Sequence, residues 1–454
     1  MISAKAKPLL LILLGAVLLL AASAVVVFSG LAPPFHRPAL TPSDFGPAKF
    51  DYRFVDYADL PGWMQDDPTP AFDAFLRSCE ALMKRDDDAP ANPHENLGLT
   101  GAGVSLAGAV RDWREPCDRA RDLSLRTHAD PAARRGDVRS YFEFYFQPVQ
   151  AMSRREPLPD APVRQNRPLI EEYGVFTGYF EPVYAASRTR TPARPSPVYP
   201  RPDDLVDIDL GAFRNDMKGE RLAGRLEGRR LVPYPDRGAI YAGALDGSVE
   251  PIGWLSETDL FFLQIQGSGQ LAFGDGETVR VNYAGQNGHP YTAIGAVMAD
   301  RGLMALEDIS MQSIRAWLDG AEPFAARELR EQNASYVFFR TLGAPDPVLG
   351  PPGAQGVALT PERSLAVDRR YHPLGAPVWI VLDPVEGAGA APIRRLMIAQ
   401  DIGGAIRGPV RGDVYWGAGA AAGEIAGRMN ARGRMYILAP KPVAARLADA
   451  LRAS

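Results

Sequence analysis

The stretch Gln400–Gly419, QDIGGAIRGPVRGDVYWGAG, sets Asp401 and Asp413 either side of a run with four glycines and little else able to do acid–base chemistry. Asp401 closes the apolar run RLMIAQ and opens a Gly-Gly turn. Asp413 lies between Gly412 and the aromatic pair Tyr415 and Trp416. A carboxyl at a strand end, beside backbone without side chains, leaves room for a polymeric substrate. Partial desolvation raises its pKa toward the range a general acid needs. Taken singly, an aspartate next to glycine reads first as a turn residue bonding its own backbone. Two of them bracketing GGAIRG weaken that reading. A third, Asp368, falls in SLAVDRRYHPLGAPVWIVL, residues 364–382, with His372 the only histidine nearby and no cysteine. Three carboxylates on short strands and turns suggest glycoside chemistry more than a hydrolytic triad.

Outward from this stretch, the last hundred residues are expected to be mostly strand: Leu365–Val367, Ala376–Leu382, Arg395–Ala399 and Met435–Leu438, with one helix at about Ala421–Asn430. Further upstream, Thr69 is expected to cap a helix from about Pro70 to Lys84. Phe72, Phe75, Leu76, Cys79, Leu82 and Met83 recur there at helical spacing. A core helix is expected around Val138–Phe146, and strands begin at Tyr173. The Arg- and Pro-rich segment Arg188–Arg201 reads as a crossing between domains. Residues 195–340 mix short strands with helices, one of them capped by Ser310. No P-loop, GxGxxG, GxSxG or internal repeat is present.

At 454 residues the chain is long enough for two domains and a tail. Its 44 glycines and 41 prolines favour short strands and turns over helical bundles. A net charge of −4 with no basic stripe argues against nucleic acid as a partner. Lys5 and Lys7 precede an uncharged run from Pro8 to Gly30, which reads as a retained membrane anchor with the N-terminus in the cytoplasm. A cleaved signal peptide is the rival reading. Either way the bulk of the chain is exported, and no cysteine follows the run to carry a lipid. In an oxidising compartment Cys79 and Cys117, the two cysteines of the chain, are a candidate disulfide contributing roughly 3–4 kcal/mol. Two buried free thiols are the alternative. His36, His94, His128, His289 and His372 show no metal-ligand spacing, so neither a metal nor another cofactor is expected.

Together with FTGYFEP (176–182), DLFFLQIQGSGQL (259–271), VNYAGQNGHPYTAIG (281–295) and NASYVFFR (333–340), the aspartate motifs resemble one family in order. It is the membrane-bound lytic murein transglycosylase A family, with its three-aspartate double-psi β-barrel module. Expansins and certain barrel endoglucanases are distantly similar. The resemblance spans nearly all of residues 165–440. It implies a mainly β fold: a discontinuous double-psi barrel from 50–190 and 345–445, an inserted β-rich substrate-binding domain at 195–340, and a linker at 31–50 behind the N-terminal segment at 1–30.

The resemblance also implies a reaction. A lyase of this family cleaves the β-1,4 bond between N-acetylmuramic acid and N-acetylglucosamine and leaves 1,6-anhydromuramoyl ends. Asp413 takes the place of the acid and base, Asp401 of its support, and Asp368 completes the trio. One acid suffices because the C6 hydroxyl of the sugar replaces water, whereas hydrolases usually need a pair at defined separation. Thr177, Tyr179, Glu181, Gln264, Gln266, Ser268, Asn287 and Ser335 are candidate sugar contacts, with Tyr283 beside them. QIQGSGQ is read as a strand that presents Gln264, Gln266 and Ser268 on one face. Tyr336, Phe338 and Phe339 are expected in the core. The partners implied are peptidoglycan strands, the membrane through the N-terminal segment, and cell-wall synthesis or division proteins. Well-known members of the family are lipoproteins; here an inner-membrane anchor is expected instead, its flexible linker reaching on the order of 25 Å into the periplasm. A hydrolase using Asp401 and Asp413 as a pair, and a non-catalytic wall-binding scaffold, are the rival readings.

Overall fold

The computed structural model describes residues 45–46, 48–96, 105–158, 168–214, 221–343, 346, 348–389 and 391–453. The N-terminal segment expected over 1–30 and most of the linker expected over 31–50 lie outside them. Among the described residues no helix is long and apolar enough to cross a membrane. Residues 48–155 and 169–454 form one compact unit. In the other unit, residues 1–47 with 156–168, Phe45 bridges Pro157 and the Gly46 N–H donates to the Glu156 carbonyl.

In chain order the strands begin with β1 (Lys49–Phe54), β2 (Phe146–Arg155), β3 (Leu169–Glu171) and β4 (Gly174–Glu181). Next come β5 (Val183–Ala186), β6 (Ser196–Val198), β7 (Val206–Asp209), β8 (Arg221–Glu227), β9 (Arg230–Pro233) and β10 (Gly253–Leu255). They are followed by β11 (Ser268–Phe273), β12 (Thr278–Gln286) and β13 (Val337–Thr341). The last are β14 (Ser364–Val367), β15 (Pro377–Leu382), β16 (Ile393–Asp401), β17 (Arg411–Ala418) and β18 (Asn430–Pro440).

Six of these strands close on themselves. β4 pairs with β17 in parallel, β17 with β14 antiparallel, and β14 with β16 in parallel. β16 then pairs with β15, β15 with β18, and β18 returns to β4, all antiparallel. Closure leaves the barrel no exposed edge. β2, β1 and β3 extend the sheet from β18. This is the mainly β, barrel-centred fold expected. β15, PVWIVL, reads as one apolar run because both of its faces are covered; on the outside Trp379 meets Trp63, ring centroids 5.1 Å apart.

The helix Thr69–Leu82 buries Ala71, Phe72, Ala74, Phe75, Ser78, Cys79 and Leu82; Phe72 and Phe75 meet Tyr141 and Phe142, while Ala74 and Ser78 meet Gln400 of β16. Thr69 is its first residue rather than its cap: Pro68 holds the cap position, and Asp67 Oδ1 accepts from the Thr69 N–H at 3.0 Å. A helix not anticipated, Arg111–Ser124, lies alongside, and a Cys79–Cys117 disulfide joins the two with Cα atoms 5.4 Å apart. The aromatic helix starts earlier than expected, running Pro131–Tyr145 with Asp130 as its cap, and Phe146 already belongs to β2.

Between β4 and β14 lies a second assembly. Its main sheet orders β13-β12-β11-β5, and β7-β8-β9 and β6-β10 form smaller ones. Tyr336, Phe338 and Phe339 are buried in its core. The change of sheet comes earlier than the Arg188–Arg201 segment suggests. β4 ends at Glu181, and β5, two residues on, already pairs with β11. At that step the buried Glu181 carboxylate accepts from Arg280 Nε of β12 at 2.7 Å, from Arg280 Nη2 at 2.9 Å and from Gln270 Nε2 at 2.8 Å. Glu181, a candidate sugar contact by sequence, is thus a bolt between the two sheets.

One local expectation is overturned. QIQGSGQ is not a strand: Glu257–Gln266 is a helix, capped by the Ser256 hydroxyl accepting from the Asp259 N–H and ended by Gly267 in the left-handed region at φ 79°. Only from Ser268 does β11 begin, so Gln264, Gln266 and Ser268 do not share a strand face.

Candidate active site

β14 sits between β16 and β17, and one of its residues, Ala366, is in register with Asp401 on one side and with Asp413 on the other. A β-bulge between Leu365 and Ala366 produces this alignment. The two carboxylates therefore stand side by side across a single alanine, whose methyl group leaves space between them. From β4 the alternation of the strand brings Thr177 and Tyr179 to the same face. Thr177 lies opposite Asp413 in the parallel pair with β17, and Tyr179 lies opposite Tyr415. Gly178 between them must lack a side chain, because a Cβ there would approach Trp416 Nε1 to 2.6 Å.

The carboxylates differ in their partners. Asp401 Oδ1 accepts from the Ala354 and Ile402 N–H groups, each at 2.9 Å, and Oδ2 accepts from the Tyr179 hydroxyl at 2.9 Å. Asp413 Oδ1 accepts from the Thr177 hydroxyl at 2.6 Å, while Oδ2 has no hydrogen-bond partner among the described residues. Thr177 Oγ1 in turn accepts from Arg411 Nη2 at 2.8 Å. Burial raises the pKa of Asp413, the Thr177 hydrogen bond and the Arg411 charge oppose it, and the neighbouring Asp401 adds to the rise. Burial likewise raises Asp401 against its backbone hydrogen bonds and that of Tyr179. Burial first, and the Asp401 charge next, keep the Tyr179 hydroxyl protonated far above its usual range.

Asp368, the third aspartate, is spent on structure. It is 1% exposed and takes Arg370 Nη2 at 2.6 Å, the Arg370 N–H at 3.1 Å and the Gly408 N–H at 2.9 Å. Burial alone would raise its pKa; these donors outweigh burial and hold it below the usual carboxylate range. His372, fully buried, lies 2.7 Å through Nε2 from the Pro409 carbonyl, and burial lowers its pKa to about 4. Both residues pin the 408–410 turn that leads into Asp413.

Asp401 lines a cavity of about 420 Å³ whose barrel wall includes Tyr179 and Tyr415 and whose opposite wall includes Ser268, Asn282, Tyr283 and Arg340. The segment Pro351–Ala354 completes it. Asp413 is not in its wall but stands across Ala366 from Asp401. Two larger surface clefts, of about 570 Å³ at 57–65 and about 520 Å³ around Arg53, contain none of the three aspartates.

Of the expected sugar contacts, Tyr179, Glu181, Ser268 and Gln266 line the cavity, as does Tyr283, although the Glu181 carboxylate is taken up by Arg280 and Gln270. The others are engaged elsewhere. Gln264 is buried, accepting from Arg237 Nη1 at 2.7 Å and donating to the Val337 carbonyl. Asn287 is buried and donates to the Pro235 and Ala334 carbonyls. Ser335 is buried beneath Arg237, which its carbonyl accepts from. Sequence reasoning missed Arg411, although its place two residues before Asp413 puts both on one strand face. It also missed Gln400, whose buried amide joins Ser364 Oγ at 2.5 Å, the Ala74 carbonyl at 2.9 Å and Ser78 Oγ at 2.8 Å, anchoring the end of β16 to the Thr69–Leu82 helix.

Known proteins resemble this chain in sequence and fold. Residues 175–340 match the MltA specific insert domain and residues 363–439 match the 3D domain. Membrane-bound lytic murein transglycosylase A of Escherichia coli (strain K12) is 37% identical over 271 residues, covering 59% of this chain and 66% of that protein. The chain thus matches just under two thirds of the length of that curated relative. The crystal structure of MltA from Neisseria gonorrhoeae superposes with a TM-score of 0.67 at 30% identity, covering 89% of this chain and 95% of that one. That of E. coli MltA with bound chitohexaose gives a TM-score of 0.51 at 30% identity, covering 73% of this chain and 85% of that one. With both sequence modules in order and nearly the whole of a solved relative matched, the chain belongs to the membrane-bound lytic murein transglycosylase A family.

Proposed function

We propose that the chain is a peptidoglycan lytic transglycosylase that cleaves between N-acetylmuramic acid and N-acetylglucosamine without consuming water. The observation that carries the assignment of roles is the unequal bonding of the two carboxyls aligned on Ala366. Asp401 has donors on both oxygens, which suits a fixed, supporting charge. Asp413 has one donor on one oxygen and leaves Oδ2 for a transferable proton. Its raised pKa suits a general acid.

In the reaction, Asp413 gives its proton to the glycosidic oxygen as the bond from C1 breaks. The resulting carboxylate takes the proton of the C6 hydroxyl as that oxygen bonds to C1. Proton count is restored, the leaving strand ends in a hydroxyl, and the other end is a 1,6-anhydro sugar. Asp401 makes Asp413 harder to ionise, since neighbouring carboxyls resist sharing negative charge. The cavity beside them supplies hydroxyl, amide and aromatic groups of the kind that bind sugars, and a relative is seen with chitohexaose bound. Membrane-bound relatives support a place in the cell envelope. A periplasmic catalytic unit behind an N-terminal inner-membrane anchor is the arrangement we favour, with the barrel and the inserted assembly as two domains flanking a glycan groove.

The test is Asp413→Asn. It is expected to lower turnover of purified sacculi by about 100- to 10,000-fold while leaving sacculus binding intact. Undiminished turnover would remove Asp413 from the role of acid. Turnover absent from the unsubstituted chain, with binding retained, would favour a scaffold.

A further inference from the structure

The cavity wall opposite Asp401 carries a charge that no carboxylate among the described residues neutralises. Ser268 of β11 faces Asn282 of β12, and Asn282 faces Arg340 of β13. Residues directly opposite on neighbouring strands project from the same face, so these three form one rung of hydroxyl, amide and guanidinium. All three line the cavity. Arg340 is exposed and has no carboxylate partner among the described residues. Its neighbours differ. Arg280 on β12 is taken by Glu181, and Arg188 beside β11 is taken by Asp275 and Glu277. The cavity's own carboxylates do not serve Arg340 either. Glu181 is saturated by Arg280 and Gln270, and Asp401 by Ala354, Ile402 and Tyr179.

We propose that Arg340 is a carboxylate-binding subsite that distinguishes acidic glycan from neutral glycan. The inference rests on the glycan-cleaving reading above and names which feature of the strand this wall recognises. A planar guanidinium with five donors is suited to a carboxylate, with which it forms paired hydrogen bonds. Peptidoglycan carries such groups where a polymer of N-acetylglucosamine has none: the 3-O-lactyl carboxylate when the strand is bare, or the carboxylates of the stem peptide when it is substituted. Asn282 and Ser268 on the same rung then address the neutral hydroxyl and N-acetyl groups beside it.

The test compares affinities of the full chain carrying Asp413→Asn, with and without Arg340→Gln, for three probes. These are chitohexaose, peptide-free peptidoglycan strands with free lactyl groups, and strands still bearing stem peptides. Arg340→Gln is expected to weaken binding of at least one acidic probe by about tenfold at low salt and to change chitohexaose binding less than about twofold. Arg340→Lys should recover part of the loss. A loss with peptide-free strands assigns the subsite to the lactyl carboxylate; a loss confined to substituted strands assigns it to the peptide. Equal losses for all three probes, or no loss for any, would overturn the proposal. Residual turnover by Asp413→Asn would count against the catalytic reading alone, because the affinity difference is read separately.

Discussion

Thr177 and Asp413 face each other across the parallel β4–β17 pair, and the threonine hydroxyl spends its only hydrogen on Oδ1 of the aspartate at 2.6 Å. Arg411 Nη2 enforces that direction by occupying a lone pair of the same hydroxyl at 2.8 Å. A proton carried by Asp413 must then sit on Oδ2. Thr177→Val removes the donor, and turnover is expected to fall about ten- to a hundredfold, with Thr177→Ser close to the unsubstituted enzyme. Because the hydrogen bond opposes the rise in pKa, its loss moves the alkaline limb of the kcat profile to higher pH. A rate loss with an unmoved limb would reduce Thr177 to packing.

Activity should fall as pH rises through the raised pKa of Asp413, because only the protonated acid can donate. Stability follows the same sign. A folded-state pKa above the unfolded value favours the fold at low pH, and that contribution is lost as pH rises through the folded value. Asp413→Asn is therefore expected to raise Tm near neutrality, with the gain shrinking toward acid pH. Thermal melts across pH check this; a Tm gain that grows in acid would contradict it.

Asp368 has the opposite sign. Its depressed pKa stabilises the fold above the unfolded value, and the contribution disappears as pH falls through the folded one. Asp368→Asn is expected to cost about 1–3 kcal/mol at neutral pH, through the Arg370 and Gly408 groups left without their acceptor. Denaturant titrations at neutral and acid pH should show the difference at the former and little at the latter.

Glu181→Ala leaves the Arg280 guanidinium buried and unpaired between the two sheets, at an expected cost of about 3–5 kcal/mol. Double substitution of Glu181 and Arg280 should recover much of it. If Glu181→Ala instead weakened glycan binding at unchanged stability, the residue would be a sugar contact rather than a structural bolt.

The barrel and the two aspartates it aligns were legible because their signals are local. A strand ending at Asp401, glycines after it and an aromatic strand after Asp413 fall within twenty residues. What surrounds them was less so. The register that aligns both carboxyls on Ala366 depends on a bulge, and the Ala354 N–H reaches Asp401 from 47 residues away. Glu181 could be read only as binding or structural, because its partner Arg280 lies 99 residues further on. Gln264, Gln266 and Ser268 were misread for a different reason. Alternating polar residues mimic a strand, but the Ser256 cap and the left-handed Gly267 outweigh that pattern and make a helix of the segment.

The most direct measurement is the mass of the products released from purified sacculi in water labelled with heavy oxygen. Muropeptides ending in 1,6-anhydromuramic acid, each lighter by one water than the reducing form and free of label, are the expected result. Reducing ends that carry the label would mean that Asp401 and Asp413 act as a hydrolytic pair.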